Sequence, residues 1–222
     1  MTQQEFNKAI ITISKDKLAS LPIAGYPGKI VMIDNQKKLE QAVKNLNSMP
    51  VIGFDTETRP SFRRGQSYKV ALIQLATPEC CYLFRTNEIG YPKELIEILE
   101  NPGITKVGLS VHDDFLHLRR VTEIEPHGFI DLQSYVKEFK IADNSLSRLY
   151  GILFGERISK GQRLTNWEQA ELTESQQAYA ALDAYACIRI YEFLKEGKFN
   201  PRESKYLTLP PEPKENQDKE IK

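Results

Sequence analysis

From Lys29 to about residue 195, short apolar runs of strand length alternate with segments of helical periodicity. We predict strands at residues 29–34, 51–58, 68–77, 80–84, 104–110 and 129–132. We predict helices at residues 37–47, 92–99, 133–140, 145–155 and 174–194, and another from Asp113 onward. Three of the strands follow one another through short connections, whereas the others are joined through helices. The pattern therefore predicts an α/β fold, with a mixed β-sheet flanked by α-helices in a single domain.

Both ends of the sequence differ from this middle part. Residues 1–28 are polar at first and are then interrupted by prolines and glycines. Residues 201–222 contain four of the twelve prolines, and beyond Leu209 the only large apolar residue is Ile221. We therefore expect an N-terminal extension over residues 1–28, the main domain over residues 29–200, and a disordered tail over residues 201–222.

Composition and charge exclude several classes of protein. No run reaches the roughly 18 apolar residues that a membrane-spanning helix needs, and the first ten residues lack the pattern of a secretory signal. Three cysteines without a CxxC spacing make neither a disulfide framework nor a structural zinc site, so we expect a cytoplasmic protein. With 30 basic and 30 acidic residues, the formal net charge is zero. Duplex nucleic acid is therefore not held by overall positive charge, although a local basic patch could hold a nucleic acid.

Two carboxylates lie near the end of the clearest strand candidate. Asp55 and Glu57 are two residues apart in VIGFDTET (51–58), so both lie on the same face of the strand. Two carboxylates on one face of a buried strand are costly unless a cation neutralises them, which favours a metal site. The alternative is a strand end whose acidic side chains simply reach solvent, and the spacing alone does not separate the two.

Further acidic residues follow later elements. Asp113 and Asp114 come directly after the strand at residues 104–110, where an acidic residue is commonly only a helix cap or a partner of the helix dipole. Tyr179 and Asp183 are four residues apart and share one face of the last predicted helix. Asp183 is flanked by apolar residues, so exposure to solvent alone is a poor explanation for an aspartate at this position.

The sequence thus has Asp-x-Glu on a strand, an aspartate after a later strand, and Tyr-x-x-x-Asp on the last helix. This set of motifs resembles that of the DEDD superfamily of 3′–5′ exonucleases, and most closely the ribonuclease D and Werner-syndrome exonuclease type of domain. The resemblance covers about residues 29–195 and is carried by GFDTET (53–58), KVGLSVHDDFLHL (106–118) and LTNWEQAELTESQQAYAALDAYA (164–186). Ala178 stands where the histidine subclass has its histidine, so the resemblance is to the tyrosine subclass. The family spacing after Gly108 selects Asp114 as the second-motif aspartate, with Asp113 as the alternative.

The resemblance implies a ribonuclease H-like fold and hydrolysis of phosphodiester bonds with two Mg²⁺ or Mn²⁺ ions. It implies that Asp55 bridges both ions, that Glu57 and Asp183 complete the nucleophile-side site, and that Asp114 supports the other ion. Tyr179 would orient the attacking water. The implied substrate is the 3′ end of single-stranded or frayed DNA or RNA, which is shortened with release of nucleoside 5′-monophosphates.

Basic residues lie in sequence beside the first and third motifs. We expect Arg63, Arg64 and Arg163 to guide the phosphate backbone of a single strand. Phe62 and Trp167 could stack on bases, although a tryptophan such as Trp167 is more often a core anchor. The alternative is that these arginines are solvated loop charges. We expect no counterpart of the helical nucleic-acid-binding domain of ribonuclease D, because the segment after Asp183 in this sequence is short, and no obligate protein partner is evident.

Two other functions remain open. The first is a non-catalytic nucleic-acid-binding module with a nuclease-like fold, against which the full set of acidic residues and the tyrosine argue. The second is a metal-dependent phosphatase acting on small phosphate esters, for which the basic loops would have no purpose. Metal-dependent release of mononucleotides from the 3′ end of a polymer separates all three functions.

Overall fold

A computed structural model describes residues 1–63 and 65–210 of the chain. Its strands are β1 (Ile10–Ile11), β2 (Lys29–Ile33), β3 (Val51–Thr58), β4 (Val70–Ala76), β5 (Cys80–Phe84), β6 (Thr105–Gly108), β7 (Phe129–Asp131) and β8 (Leu207–Thr208). Its α-helices are α1 (Gln3–Lys8), α2 (Lys15–Ala19), α3 (Gln36–Leu46), α4 (Thr86–Ile89), α5 (Lys93–Glu100), α6 (Val111–Leu118), α7 (Leu132–Tyr135), α8 (Leu146–Phe154) and α9 (Glu174–Lys195). Single 3-10 turns cover Val136–Phe139 and Pro201–Glu203. No helix in this described part of the chain is both long and apolar enough to cross a membrane.

Six of the strands form one mixed sheet in the order β2-β5-β4-β3-β6-β7. The central strand β3 pairs antiparallel with β4 and parallel with β6. Strands β4 and β5 are also antiparallel, whereas β2–β5 and β6–β7 are parallel. The predicted mixed α/β architecture is confirmed. Asp55 and Glu57, toward the end of β3, pair with β4 on one side and lie beyond the pairing with β6, which covers Val51 to Gly53.

Helices cover both faces of the sheet. Phe54, Ile73 and Leu75 pack on one face in a cluster with buried side chains of α3, α5 and α6. The opposite face carries α9, which is held at its start by a capping box between Thr173 and Gln176. This capping box satisfies backbone donors that would otherwise be unpaired at the helix start.

Helix α9 lies in direct contact with the backbone of β3. A Cβ atom built on Gly53 would stand 1.9 Å from the carbonyl oxygen of Ala184, so only glycine fits at this crossing. The facing residues of α9 are small as well, because Ala180, Ala181 and Ala184 are all fully buried against the sheet. This close approach brings the middle of α9 to the acidic end of β3.

The two ends of the described chain meet in a small second sheet. β1 pairs antiparallel with β8, with Ile11 opposite Leu207. The prediction of a disordered tail is therefore wrong for residues 201–210, because Tyr206 and Leu207 pack in the same apolar cluster as Ile11. Residues 211–222 of that predicted tail lie outside the described residues, and the division into extension, domain and tail stays a prediction.

Candidate active site

Three carboxylates from two elements meet at the end of β3. One oxygen from each of Asp55, Glu57 and Asp183 can be chosen so that all three lie within 4.8 Å of one another. Glu57 and Asp183 are only 8% and 7% exposed, whereas Asp55 is partly exposed. We call these three residues the carboxylate cluster. The alternation of β3 puts Asp55 and Glu57 on the face covered by α9, and the contact at Gly53 brings Asp183 to them.

The carboxylate cluster strongly favours bound protons or cations. Burial, followed by repulsion from Asp183, raises the pKa of Asp55 well above its usual range and that of Glu57 to about 9. Burial likewise raises the pKa of Asp183 to about 7, against an opposing effect of the Tyr179 hydroxyl. Arg163 lowers the pKa of Glu57, but not enough to offset burial. A divalent cation would supply the missing positive charge.

Asp114 flanks the carboxylate cluster from α6. The hydroxyl of Thr56 donates a hydrogen bond to its carboxylate, and burial raises the pKa of Asp114 to about 7. Asp113 is exposed in the first turn of the same helix. Of the two candidates for the second motif, Asp114 is therefore the one that lies beside the cluster.

Tyr179 stands one turn before Asp183 on α9. Its ring lies 6.1 Å from that of the buried Trp167, centroid to centroid, at an interplanar angle of 33°. Burial and the neighbouring carboxylates, Asp183 first among them, raise the pKa of the Tyr179 hydroxyl far above its usual value. The hydroxyl therefore keeps its proton at neutral pH and can donate a hydrogen bond beside the cluster.

Two of the three predicted basic residues, Arg63 and Arg163, lie in exposed loops. Arg163 is exposed and close enough to Glu57 for its charge to act on that carboxylate. Arg63 lies on a groove of about 410 Å³ between the loop after β3 and the loop before α9. Phe62 and Leu164, 82% and 61% exposed, line the same groove. Arg64 lies outside the described residues.

A buried arginine supports the loop before α9, and a buried glutamine lies opposite Asp55; the sequence interpretation missed both. Arg85 is 3% exposed and donates to the carbonyl oxygens of Gln169, at 2.6 Å, and Ala170, at 3.3 Å. Gln74 lies directly opposite Asp55 in the β3–β4 ladder and is fully buried. A glutamine within the apolar run VALIQLA (70–76) is a signal that could have drawn attention to this position, whereas nothing local marks Arg85.

The fold and the site agree with comparisons to known proteins. A family model described as 3′-5′ exonuclease matches residues 30–197. The mouse (Mus musculus) bifunctional 3′-5′ exonuclease/ATP-dependent helicase WRN is 35% identical over 185 residues, which are 79% of this chain and 13% of the mouse protein. The chain thus spans a small part of that relative's length.

Solved structures show the same fold. The crystal structure of Escherichia coli RNase D is 25% identical, with a TM-score of 0.68 over 76% of this chain and 44% of that one. The Aedes aegypti Nibbler EXO domain is 21% identical, with a TM-score of 0.70 over 81% of this chain and 96% of that one. The match of the family model over most of the chain, together with the mouse relative, confirms the resemblance that the three motifs carry. The chain belongs to the 3′–5′ exonuclease family of the DEDD superfamily.

Proposed function

We propose that this protein is a two-metal-ion 3′–5′ exonuclease that releases nucleoside 5′-monophosphates from the 3′ end of single-stranded or frayed DNA or RNA. The observation that carries the proposal is the carboxylate cluster of Asp55, Glu57 and Asp183, with Asp114 and Tyr179 at its margins. Membership of the 3′–5′ exonuclease family supports the reaction class.

The donor set fits hard divalent cations. Carboxylate oxygens are the ligands that Mg²⁺ and Mn²⁺ prefer, and no histidine or cysteine joins the cluster among the described residues. Asp55, Glu57 and Asp183 would hold one ion, and Asp55 with Asp114 would hold the second. When bound, two such ions stabilise the negative charge on the attacking and leaving oxygens of an in-line displacement at phosphorus.

Tyr179 would act as an orienting hydrogen-bond donor rather than as a base. Its hydroxyl is protonated throughout the neutral range, since burial and neighbouring carboxylates raise its pKa. A protonated hydroxyl beside Asp183 can hold the attacking water in line with the scissile bond without removing its proton. Replacement by phenylalanine should therefore slow the reaction with little effect on metal affinity.

The groove between the loop after β3 and the loop before α9 suits a single strand. Phe62 and Leu164 offer apolar surface on which an unpaired base can stack, and Arg63, Arg64 and Arg163 would contact phosphates. A Trypanosoma brucei RNase D with this fold has been solved in complex with RNA U12, which supports nucleic-acid binding by the fold. Metal and phosphate contacts do not read the 2′-hydroxyl, so DNA and RNA are both proposed as substrates.

The test uses 5′-labelled single-stranded DNA and RNA with Mg²⁺, Mn²⁺ or EDTA. We expect a metal-dependent ladder that shortens from the 3′ end, absent in Asp55→Asn and Asp183→Asn. Asp114→Asn should also lose activity, whereas Asp113→Asn, one residue away and exposed, serves as its matched control and should keep it.

Three results would contradict the proposal. A folded protein that binds Mn²⁺ and oligonucleotide but yields no ladder would favour the non-catalytic binding module. Phosphate release from small esters without shortening of a polymer would favour the phosphatase. Retained activity in Asp183→Asn would separate the carboxylate cluster from the reaction.

A further inference from the structure

Thr56 lies between two members of the carboxylate cluster but faces the other side of the sheet. Strand alternation gives Thr56 the same face as Phe54, whose ring packs 6.5 Å from that of Phe115, centroid to centroid. Phe115 directly follows Asp114 on α6. The two apolar rings therefore fix α6 against the face of β3 on which Thr56 stands.

The hydroxyl of Thr56 donates to the Oδ1 atom of Asp114. Asp114 is not one of the residues whose carboxylate oxygens all lie within 4.8 Å of one another in the described structure. Among the described residues, the hydroxyl of Thr56 is the side-chain donor to the Asp114 carboxylate, and it leaves Oδ2 as the oxygen available to other partners.

We propose that Thr56 is a positioning residue for the second divalent cation: its hydroxyl fixes one oxygen of Asp114 and thereby presents the other oxygen as a ligand. This inference rests on the proposed function, in which Asp114 supports the second ion. A partner that orients a ligating carboxylate commonly changes metal affinity or activity by about 10- to 100-fold when it is removed. The effect should be confined to the second ion, because Asp114 would be a ligand of that ion only, whereas Asp55, Glu57 and Asp183 would hold the first ion without it.

Two substitutions at this position separate the hydroxyl from the shape of the side chain. Thr56→Val keeps a β-branched side chain of nearly equal volume on a strand but removes the donor. Thr56→Ser keeps the donor and loses only a methyl group. If the valine variant does not fold, Thr56→Ala removes the same donor with a smaller side chain.

The experiment measures the initial rate of shortening of a 5′-labelled oligonucleotide against Mg²⁺ concentration in the full chain. We expect the half-saturating Mg²⁺ concentration to rise about 10-fold or more in Thr56→Val, with the maximal rate approached at high Mg²⁺. Thr56→Ser should stay within about threefold of the wild type. Calorimetric titration with Mn²⁺ alone, without nucleic acid, should show one site weakened in Thr56→Val and the other unchanged.

The outcomes are distinct from those of the proposed function. A wild-type half-saturating concentration in folded Thr56→Val or Thr56→Ala would overturn the inference, and so would a serine variant as impaired as the valine variant. Equal weakening of both Mn²⁺ sites would also overturn it. An inactive wild type would contradict the proposed function instead, and the Mn²⁺ titration would then still decide whether Thr56 acts on one site.

Discussion

Replacing Gly53 by alanine should both destabilise the fold and disable the site. The added Cβ would stand 1.9 Å from the carbonyl oxygen of Ala184, whereas Cβ contacts in folded proteins are essentially never under 3.0 Å. The obstacle is the backbone of α9 and not a side chain that could rotate away, so helix and strand must separate by about 1 Å.

The size of the effect follows from this separation. Overpacking a close-packed interior costs about 1–3 kcal/mol and sometimes more, and a backbone obstacle puts Gly53→Ala near 3 kcal/mol. For a chain of this length, that loss lowers the melting temperature by about 6–12 °C. Ala184 is the neighbour of Asp183, and a displacement of about 1 Å at a reacting group can reduce the rate about 100-fold.

Gly25→Ala is the matched control, because a Cβ built at Gly25 meets no described atom within 4 Å. Urea unfolding should place the free energy of unfolding of Gly25→Ala within about 0.5 kcal/mol of the wild type, and its rate on a labelled oligonucleotide should be unchanged. If Gly53→Ala unfolds at the same urea concentration as Gly25→Ala, the packing argument is refuted. If Gly53→Ala loses stability but keeps the wild-type rate, α9 does not position the reacting groups.

Four further predictions concern charge and polarity. The pKa of Glu57 is about 9 in the fold against 4.5 for the free side chain, so folding favours its protonated form. In EDTA, the free energy of unfolding should therefore fall as the pH rises from about 4.5 toward 9, and urea titrations should show a smaller fall for Glu57→Gln. Mn²⁺ at 100 times its Kd should raise the free energy of unfolding of the wild type by about 2.7 kcal/mol, measured by thermal unfolding. The increase for Asp183→Asn should be far smaller. Gln74→Met should raise the free energy of unfolding in EDTA by about 1 kcal/mol, measured as a higher melting temperature. Both polar side-chain atoms of Gln74 are buried without a hydrogen-bond partner among the described residues. Arg63→Ala and Arg163→Ala should weaken oligonucleotide binding and flatten its salt dependence in fluorescence titrations, and an unchanged salt slope would rule out phosphate contacts.

Local periodicity was sufficient to place the residues of the carboxylate cluster on their elements. Alternation along β3 gives Asp55 and Glu57 one face, and helical spacing gives Tyr179 and Asp183 another. The preference for Asp114 over Asp113 came only from the resemblance, because two adjacent residues at a helix start have the same local pattern. The contact with Thr56 distinguishes them in three dimensions.

Two interactions between segments distant in sequence could not be predicted from local sequence patterns. In the sequence, Arg85 has the pattern of an ordinary surface charge. In the structure, its guanidinium is buried because the loop before α9 packs across it. The short strand β8 was interpreted as part of a disordered tail, because residues 201–222 contain four of the twelve prolines and few large apolar residues. Its pairing with β1 depends on residues from the other end of the domain, which local composition does not report.

The origin of the carboxylate cluster in β3 and α9 also bears on how the protein is made. Asp55 is synthesised early and Asp183 late, and the two meet only when α9 docks on the completed sheet. A contact between segments so far apart must close a long loop of chain, and non-local contacts of this kind slow folding. A growing chain on the ribosome therefore lacks the assembled cluster, and any nucleic acid beside it is safe from cleavage until the helix ending at Lys195 has emerged and packed. In refolding experiments, nuclease activity should return after secondary structure and not with it.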